Sequence, residues 1–177
     1  LTPFIGPPLL DMYMETCGFT KEQGLLAVAK YRERFGTVGM FENEVYEGIP
    51  ELLTELKAAG KHLGVATSKP GVFAIPILEH FHLDGYFERI IGSELDGTRV
   101  KKGEVITEAL RQFGEEAANG RVIMVGDRKH DISGAKENHI PSIGVCYGFG
   151  GREELKEAGA DNIAETVKEL KTLLLSL

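Results

Sequence analysis

Two aspartates in the second half of the chain have the type and spacing of a metal site. Asp127 ends the segment RVIMVGD, and Asp131 follows four residues later within GDRKHD. Carboxylate oxygens at this spacing can converge on one hard cation, and Mg²⁺ typically binds one or two carboxylates while it keeps several waters. The alternative is structural, with Asp127 as the cap of the next helix and Asp131 as a solvated acid in its first turn.

A second group of polar residues has the chemistry needed to bind a phosphate. The apolar run LGVAT ends in Thr67, Ser68 and Lys69, and the pair Lys101 and Lys102 lies at the start of a predicted helix. A hydroxyl at a strand end could donate to a phosphate oxygen, and a nearby ammonium could balance its charge. Each residue also has an ordinary alternative, because a strand-end threonine often caps a helix and a lysine is usually solvated.

The elements that carry these residues alternate between helices and short apolar runs after Gly48. The runs Leu63–Ala66 and Val122–Val125 are continuously apolar, which is typical of strands covered on both faces of a parallel sheet. The pattern predicts an α/β fold built on a doubly wound parallel sheet. In such sheets ligands bind beyond the carboxyl ends of the strands, where the candidate residues lie.

The first part of the chain has a different pattern. Apolar residues recur at helical spacing between residues 7 and 41, and Thr20 precedes a second helical run. We find no strand candidate here. The segment 41–48 is therefore predicted to separate a helical lobe from the α/β core.

Composition narrows the classes of partner. The formal net charge of −7 opposes binding to nucleic acid or to an anionic membrane. The sequence has no apolar run long enough to span a bilayer, and its two cysteines, Cys17 and Cys146, form no metal-binding pair. We expect a soluble cytoplasmic protein, a monomer or homodimer, that acts on a small molecule.

The order of these segments resembles motifs two, three and four of the haloacid dehalogenase (HAD) superfamily. The matching segments are VATSK, Lys102 before a helix, and VGDRKHD, and the resemblance extends from about Tyr46 to the C-terminus. The segments LTPFIGPPL and FENEVYEGIPELL are similar to the phosphoglycolate phosphatase and 5′-nucleotidase-like branch. The resemblance implies a partial helical cap over residues 1–44 and a HAD-like core over residues 45–177.

The resemblance also implies roles for the phosphate-binding residues. Thr67 would hydrogen-bond the transferring phosphoryl group, and Lys102 would balance the charge of the nucleophile and the phosphate. Ser68 and Lys69 would contribute to substrate binding, and Lys101 is the alternative for the motif-three lysine. A carboxylate that attacks a phosphate dianion is repelled by it, so a metal and a nearby cation are needed together.

The same resemblance implies that Asp127 holds Mg²⁺ and that Asp131 completes or orients its ligand shell. The family's first motif, a strand ending in DxDGT that supplies the nucleophile, has no counterpart in the sequence, because we interpret Asp96, Gly97 and Thr98 as a loop. We expect the nucleophile to lie upstream of Leu1. The expected function is Mg²⁺-dependent hydrolysis of phosphoglycolate or a nucleoside 5′-monophosphate through an aspartyl-phosphate. The alternatives are a phosphomutase of the β-phosphoglucomutase type and a non-catalytic binding module.

Overall fold

The computed structural model describes residues 9–177, and residues 1–8 of the predicted cap lie outside this range. Besides two short 3₁₀ helices (Gly39–Phe41 and Asp84–Tyr86), the described residues form nine α-helices and five strands, and from residue 64 onward each strand is followed by one or two α-helices. In chain order they are α1 (Leu9–Cys17), α2 (Lys21–Phe35), α3 (Ile49–Ala58), β1 (Gly64–Pro70), α4 (Gly71–His80), β2 (Arg89–Ser93), α5 (Lys102–Phe113), α6 (Glu115–Asn119), β3 (Met124–Gly126), α7 (Lys129–Glu137), β4 (Ser142–Val145), α8 (Gly151–Ala158), β5 (Asn162–Ala164) and α9 (Val167–Leu175). None of the described helices is long and apolar enough to cross a membrane.

All paired strands are parallel. β1 pairs with β2, and β3, β4 and β5 form a second group in that order. Every parallel connection needs a crossover, and the helices between the strands provide it. The predicted α/β class with a parallel sheet is confirmed.

Strand β4 shows how the sheet is covered on both faces. Ile143 and Val145 pack with Leu52 and Leu56 of α3 and with Leu170 of α9 in the main apolar cluster. Between them, Gly144 faces α8, where a Cβ atom would approach the side chain of Leu155. Since successive residues point to opposite faces of a strand, β4 is enclosed by helices on both sides, as its continuous apolar sequence predicts.

Helix α2 begins after Thr20, as the sequence predicts, and is joined to the core by an aromatic contact. Thr20 caps α2, since its Oγ1 accepts from the backbone N–H of Gln23 and the side chain of Gln23 accepts from that of Thr20. At the other end of α2, the ring of Phe35 meets the ring of Phe73 in α4 edge-on, with centroids 5.4 Å apart. The C-terminal end of α2 is thus held against the core.

The two strand groups adjoin each other without pairing. Helix α5 packs on β1 and β2, helix α7 packs on β3 and β4, and α5 packs against α7. Within residues 9–177, β1 and β3 therefore lie under neighbouring helices, and neither pairs with a strand on the side toward the other group. No residue of these two strands is fully buried, whereas β4 is buried along its whole length.

Strand β5 is missing from the sequence-based prediction. It has three residues, Asn162–Ala164, between the glycine that ends α8 and Thr166, which caps α9. Periodicity is not measurable over so short a segment. The glycine before it and the threonine after it were the available signals, since they mark the end of one helix and the start of the next.

Candidate active site

Lys102 connects the two strand groups. It is the first residue of α5, and its Nζ donates to the backbone oxygen of Ala66 in β1 at 2.9 Å. The same Nζ lies 2.9 Å from Oδ1 of Asp131, and the two side chains are only 13% and 9% exposed. Lys101, by contrast, is exposed. Of the two candidate lysines, Lys102 is the one whose ammonium pairs with Asp131, one of the two candidate carboxylates Asp127 and Asp131 (the carboxylate cluster).

Asp131 uses both carboxylate oxygens. Oδ1 faces Lys102, while Oδ2 accepts from the backbone N–H groups of Asp127 and Arg128 at 3.1 and 3.0 Å. The carboxylate thus binds the N–H of the residue before α7, at the end where a helix favours negative charge. The alternative of a solvated acid is wrong, because Asp131 is buried.

Asp127 follows β3 directly, as predicted, and is held by the loop after β4. Its Oδ2 accepts from the backbone N–H of Phe149 at 2.8 Å, and its backbone oxygen accepts from that of Gly150 at 3.0 Å. The cap position of α7 is occupied by Arg128, so the reading of Asp127 as the cap is wrong. Among the described residues, none donates a hydrogen bond to Oδ1 of Asp127.

This arrangement suits a hard cation that keeps part of its water shell. Asp127 offers a carboxylate oxygen at a strand end, which is the donor type that Mg²⁺ prefers. No group of three or more His, Cys, Asp or Glu side chains within residues 9–177 could hold a metal ion by itself. The remaining ligands would have to come from water, from substrate or from residues outside that range.

Glycines leave the space that the two aspartates occupy. A Cβ atom on Gly126 would overlap the side chain of Asp131, and one on Gly148 would overlap that of Asp127. Any other residue at these positions would displace a carboxylate, which explains the glycine at the end of β3 and the one in the loop after β4.

Thr67, Ser68 and Lys69 lie on an irregular part of β1. The pairing runs from Ala66 opposite Ile91 to Pro70 opposite Ser93, so β1 uses more residues than β2 over this stretch. Bulges of this kind redirect side chains at the edges of sheets. Here Thr67 Oγ1 accepts from the backbone N–H of Lys69, and the backbone oxygen of Ser68 accepts from the Ser93 hydroxyl.

Lys69 lies where the core meets the helical lobe. Its Nζ is 4.4 Å from the centroid of the Phe35 ring at the end of α2. Burial lowers the pKa of the ammonium, since a desolvated cation is disfavoured. The contact with an aromatic face offsets part of that cost.

Two tyrosines adjoin the Asp127 side of the site. Tyr46 and Tyr147 meet edge-on with ring centroids 5.3 Å apart. Burial, followed by the charges of Tyr46 and Asp127, raises the pKa of Tyr147 to about 12. Burial, followed by the charge of Asp127, also raises the pKa of Tyr46. Both phenols therefore stay neutral at physiological pH and can act only as hydrogen-bonding or packing groups.

Glu154 is a site-adjacent residue that sequence reasoning missed. Its Oε1 accepts from Nε of Arg128 and from the backbone N–H of Lys129, each at 2.8 Å. Burial alone raises the pKa of Glu154, but these two hydrogen bonds and the positive charges of Arg128 and Lys129 together outweigh it and lower the pKa below its ordinary value. In the sequence Glu154 is one of several acids in REELKEAG, and nothing distinguishes it from its neighbour Glu153.

Comparison with known proteins identifies similar sequences and a similar fold. A sequence model described as "Haloacid dehalogenase-like hydrolase" matches residues 1–145. A crystal structure of a predicted phosphatase from Clostridium acetobutylicum superposes with a TM-score of 0.93 at 49% identity, and the match covers 99% of this chain and 81% of that one.

Relatives of known name are similar over most of the chain. A 5′-nucleotidase of Pseudomonas aeruginosa is 51% identical over 156 residues, which are 88% of this chain and 70% of that protein. The tyrosine-protein kinase PtkA of Mycobacterium tuberculosis is 34% identical over 176 residues, which are 98% of this chain and 59% of the kinase. A phosphoglycolate phosphatase of Colwellia psychrerythraea is 30% identical over 165 residues, which are 93% of this chain and 70% of that enzyme. With its parallel sheet and the aspartate that follows β3, this chain belongs to the haloacid dehalogenase-like hydrolases, and its named relatives support a phosphomonoester hydrolase.

Proposed function

We propose that the intact protein is a Mg²⁺-dependent phosphatase that hydrolyses a small phosphomonoester through an aspartyl-phosphate. The observation that carries this proposal is the position of Lys102. Its ammonium joins β1, which bears Thr67, to the carboxylate cluster after β3. A cation between a hydroxyl-bearing strand and a candidate metal ligand meets the electrostatic demand of phosphoryl transfer.

We place the nucleophile on a strand upstream of Leu1. The support for this placement is that, in the described part of the chain, β1 and β3 each have one edge without a partner strand and lie under adjacent helices. A parallel strand inserted there would pair with both neighbours and end beside Thr67 and Asp127. The low burial of β1 and β3 relative to β4 agrees with an additional strand at this position.

The described residues would then have complementary roles. Asp127 would hold Mg²⁺, which supplies Lewis-acid stabilisation of phosphoryl oxygens when bound. Thr67 would donate to a phosphoryl oxygen, with Ser68 and Lys69 completing the substrate contacts. Lys102 would balance the charge that develops between nucleophile and phosphate, and Asp131 would orient Lys102 and the backbone before α7 while facing the metal site.

For the substrate we propose a nucleoside 5′-monophosphate or phosphoglycolate. The names of the similar nucleotidase and phosphoglycolate phosphatase support these two classes. The Lys69–Phe35 contact adds a physical reason, because it places both a cation and an aromatic face where the helical lobe meets the core.

Phosphomutase activity of the β-phosphoglucomutase type is the second candidate. One similar protein is named a tyrosine-protein kinase, and a kinase transfers a phosphoryl group to an acceptor other than water. A phosphomutase does the same with a sugar phosphate as the acceptor. A phosphatase and a phosphomutase differ in the molecule that accepts the phosphoryl group, so an assay must contain a sugar phosphate as well as water. A non-catalytic binding module is the third possibility.

A covalent-trapping experiment tests the proposal. The intact protein, including its encoded upstream segment, would be mixed with ³²P-labelled AMP or phosphoglycolate and Mg²⁺ and quenched in acid. We expect label on an aspartate upstream of Leu1 and release of inorganic phosphate in proportion to turnover. Transfer of the label to added glucose 6-phosphate would indicate the mutase, and absence of both labelling and phosphate release would indicate the binding module.

We also propose a cytoplasmic location and a monomeric or homodimeric state. Cys17 and Cys146 are both free thiols, which agrees with a reducing compartment. Fractionation of cells and light scattering of the purified protein would test the two points.

A further inference from the structure

The segment that carries Asp127 is hydrogen-bonded to the loop that precedes α8. The backbone N–H of Phe149 donates to Oδ2 of Asp127, and the backbone N–H of Gly150 donates to its backbone oxygen, at 2.8 and 3.0 Å. Both donors belong to the loop between β4 and α8. One short loop thus fixes the side chain and the backbone of the same residue.

Glu154 binds the two residues that follow Asp127 in the sequence. From the first turn of α8, its Oε1 accepts from the side chain of Arg128 and from the backbone N–H of Lys129. The side chains of Arg128 and Glu154 are 12% and 25% exposed. Charged hydrogen bonds shielded in this way are stronger and more geometrically defined than surface ion pairs.

The opposite side of the segment is held by α7. Oδ2 of Asp131 accepts from the backbone N–H groups of Asp127 and Arg128. Residues 127–129 are therefore clamped between two helices. Since Oδ2 of Asp127 is already bound to Phe149, the clamp leaves Oδ1 as the oxygen free of described hydrogen bonds.

We infer that Glu154 is a positioning residue that presents Oδ1 of Asp127 to the cation. Glu154 does not touch the cation site itself; it acts by fixing the two residues that follow the ligand. A ligand held in place before binding costs less reorganisation when the cation arrives, and groups behind metal ligands commonly change metal affinity by 10- to 100-fold. This inference rests on the proposed function, because it assumes that Asp127 is the metal ligand.

The test uses the intact protein with its upstream segment and measures Mg²⁺ binding by calorimetry in the absence of substrate. Glu154→Ala should raise the Kd for Mg²⁺ about tenfold or more, because the segment 128–129 loses both of its bonds to α8. Glu153→Ala is the matched control, since it removes the same charge from the exposed neighbouring position, and it should leave the Kd unchanged. At saturating Mg²⁺, Glu154→Ala should retain most of the wild-type kcat.

A second variant separates positioning from loss of folding. Glu154→Gln keeps an oxygen that can accept from Lys129 and Arg128, so it should raise the Kd by only about threefold. Thermal unfolding of the metal-free proteins would show whether either substitution unfolds the chain. If Glu154→Ala does not fold, the Gln variant still decides the matter, and a Kd equal to that of the wild type would overturn the inference.

The two proposals fail in different ways. If the wild-type protein hydrolyses phosphomonoesters only with Mg²⁺ and Glu154→Ala binds Mg²⁺ as tightly as wild type, the positioning role is wrong and the proposed function stands. The same holds if kcat falls at saturating Mg²⁺ without a change in Kd. If the wild type neither binds Mg²⁺ nor needs it, the proposed function fails and the inference fails with it.

Discussion

Single residues in this site depend on charges that face one another away from bulk water. The Lys102–Asp131 pair is the clearest case, since both side chains are largely buried and each makes further hydrogen bonds. A buried pair of this kind contributes little net stability as a pair, but removing one partner leaves the other charge uncompensated. Substitutions here should therefore affect folding and function together.

The candidate metal ligand can be tested by removing one negative charge. Asp127→Asn in the intact protein should lower Mg²⁺-dependent turnover by roughly 10³-fold, because several kcal/mol of charge stabilisation is lost. Steady-state kinetics at limiting and saturating Mg²⁺ would measure this. Asp11→Asn on the exposed face of α1 is the control and should have no effect. Full activity of Asp127→Asn at limiting Mg²⁺ would contradict the assignment.

The two adjacent lysines should behave differently. Lys102→Ala should lower kcat/KM by about 100-fold or more and the free energy of unfolding by about 3 kcal/mol, since it leaves Asp131 buried without its cation. Lys101→Ala should change the unfolding free energy by less than about 0.5 kcal/mol, as exposed positions usually do. Denaturant titrations and kinetics of both variants give the comparison. A larger kinetic effect at Lys101 would show that the wrong lysine has been chosen.

The ionisation of Glu154 should make stability depend on pH. Its pKa is lowered in the folded protein, so the folded state binds this proton less readily than the unfolded state. The stabilisation is fully present above the unfolded pKa of about 4.3 and is lost as the pH falls through the lower folded value. Between about pH 6 and pH 3, wild-type protein should lose more unfolding free energy than Glu154→Gln, whose side chain does not titrate. Parallel loss in the two proteins would contradict this.

At the scale of the elements, the site is assembled by the short connections that follow strands. The loop after β3 carries Asp127, and the loop after β4 supplies the N–H groups that hold it. Parallel strands bring these loops to the same edge of the sheet although they are far apart in sequence. The strands thus bring the two loops to the same edge of the sheet. The glycines, which have no side chain, allow the loops to come into direct contact.

Gly148 is the position where that close approach can be tested. Gly148→Ala should destabilise the protein by about 2 kcal/mol, because the added Cβ would overlap Asp127 and force the loop away. Weaker Mg²⁺ binding should accompany the loss. Gly85→Ala is the matched control, since a Cβ there meets no atom within 4 Å. Chemical denaturation would measure both, and equal stability of the two variants would show that the loop adapts without cost.

The sequence predicted the elements of the site better than its contacts. Asp127 and Lys102 could be placed because the rules that put polar residues at strand ends and helix starts are local. The resemblance to the haloacid dehalogenase superfamily is confirmed by the family model that matches residues 1–145. Glu154 could not be found, because its partners lie 25 and 26 residues away and only the packing of α8 brings them together.

Alternatives for single residues were decided by burial, which the sequence does not report. A first-turn aspartate such as Asp131 is usually solvated, yet here α5 covers it and supplies Lys102. The loop reading of Asp96 was correct for a local reason, since its carboxylate accepts from the backbone and hydroxyl of Thr98 two residues later. Local turns are therefore readable from sequence, while covered carboxylates are not.

For the molecule as a whole, the edges that β1 and β3 leave without a partner strand within residues 9–177 link stability to activity. Exposed strand edges carry unpaired backbone groups that favour aggregation. Residues 1–177 produced alone should therefore fold poorly and lack phosphatase activity. Extending the chain with its encoded upstream segment should restore both properties together, because one strand would fill the gap and bring the nucleophile. Circular dichroism, light scattering and phosphate release would be measured on both forms.

The possible results of that comparison are distinct. Folding that returns without hydrolysis would favour the binding-module alternative. Hydrolysis by residues 1–177 alone, in a preparation free of other phosphatases, would contradict an upstream nucleophile. In either case the site residues between Thr67 and Asp131 would need different roles.

The separation of the sheet into two groups has a practical use. A receptor with two parallel strand edges can accept a strand that is not covalently attached, since β-augmentation depends on backbone pairing. A synthetic peptide with the upstream sequence, refolded together with residues 1–177, should then reconstitute catalysis in trans. Turnover would report the association, so the protein could serve as a split enzyme whose signal follows the meeting of its two pieces.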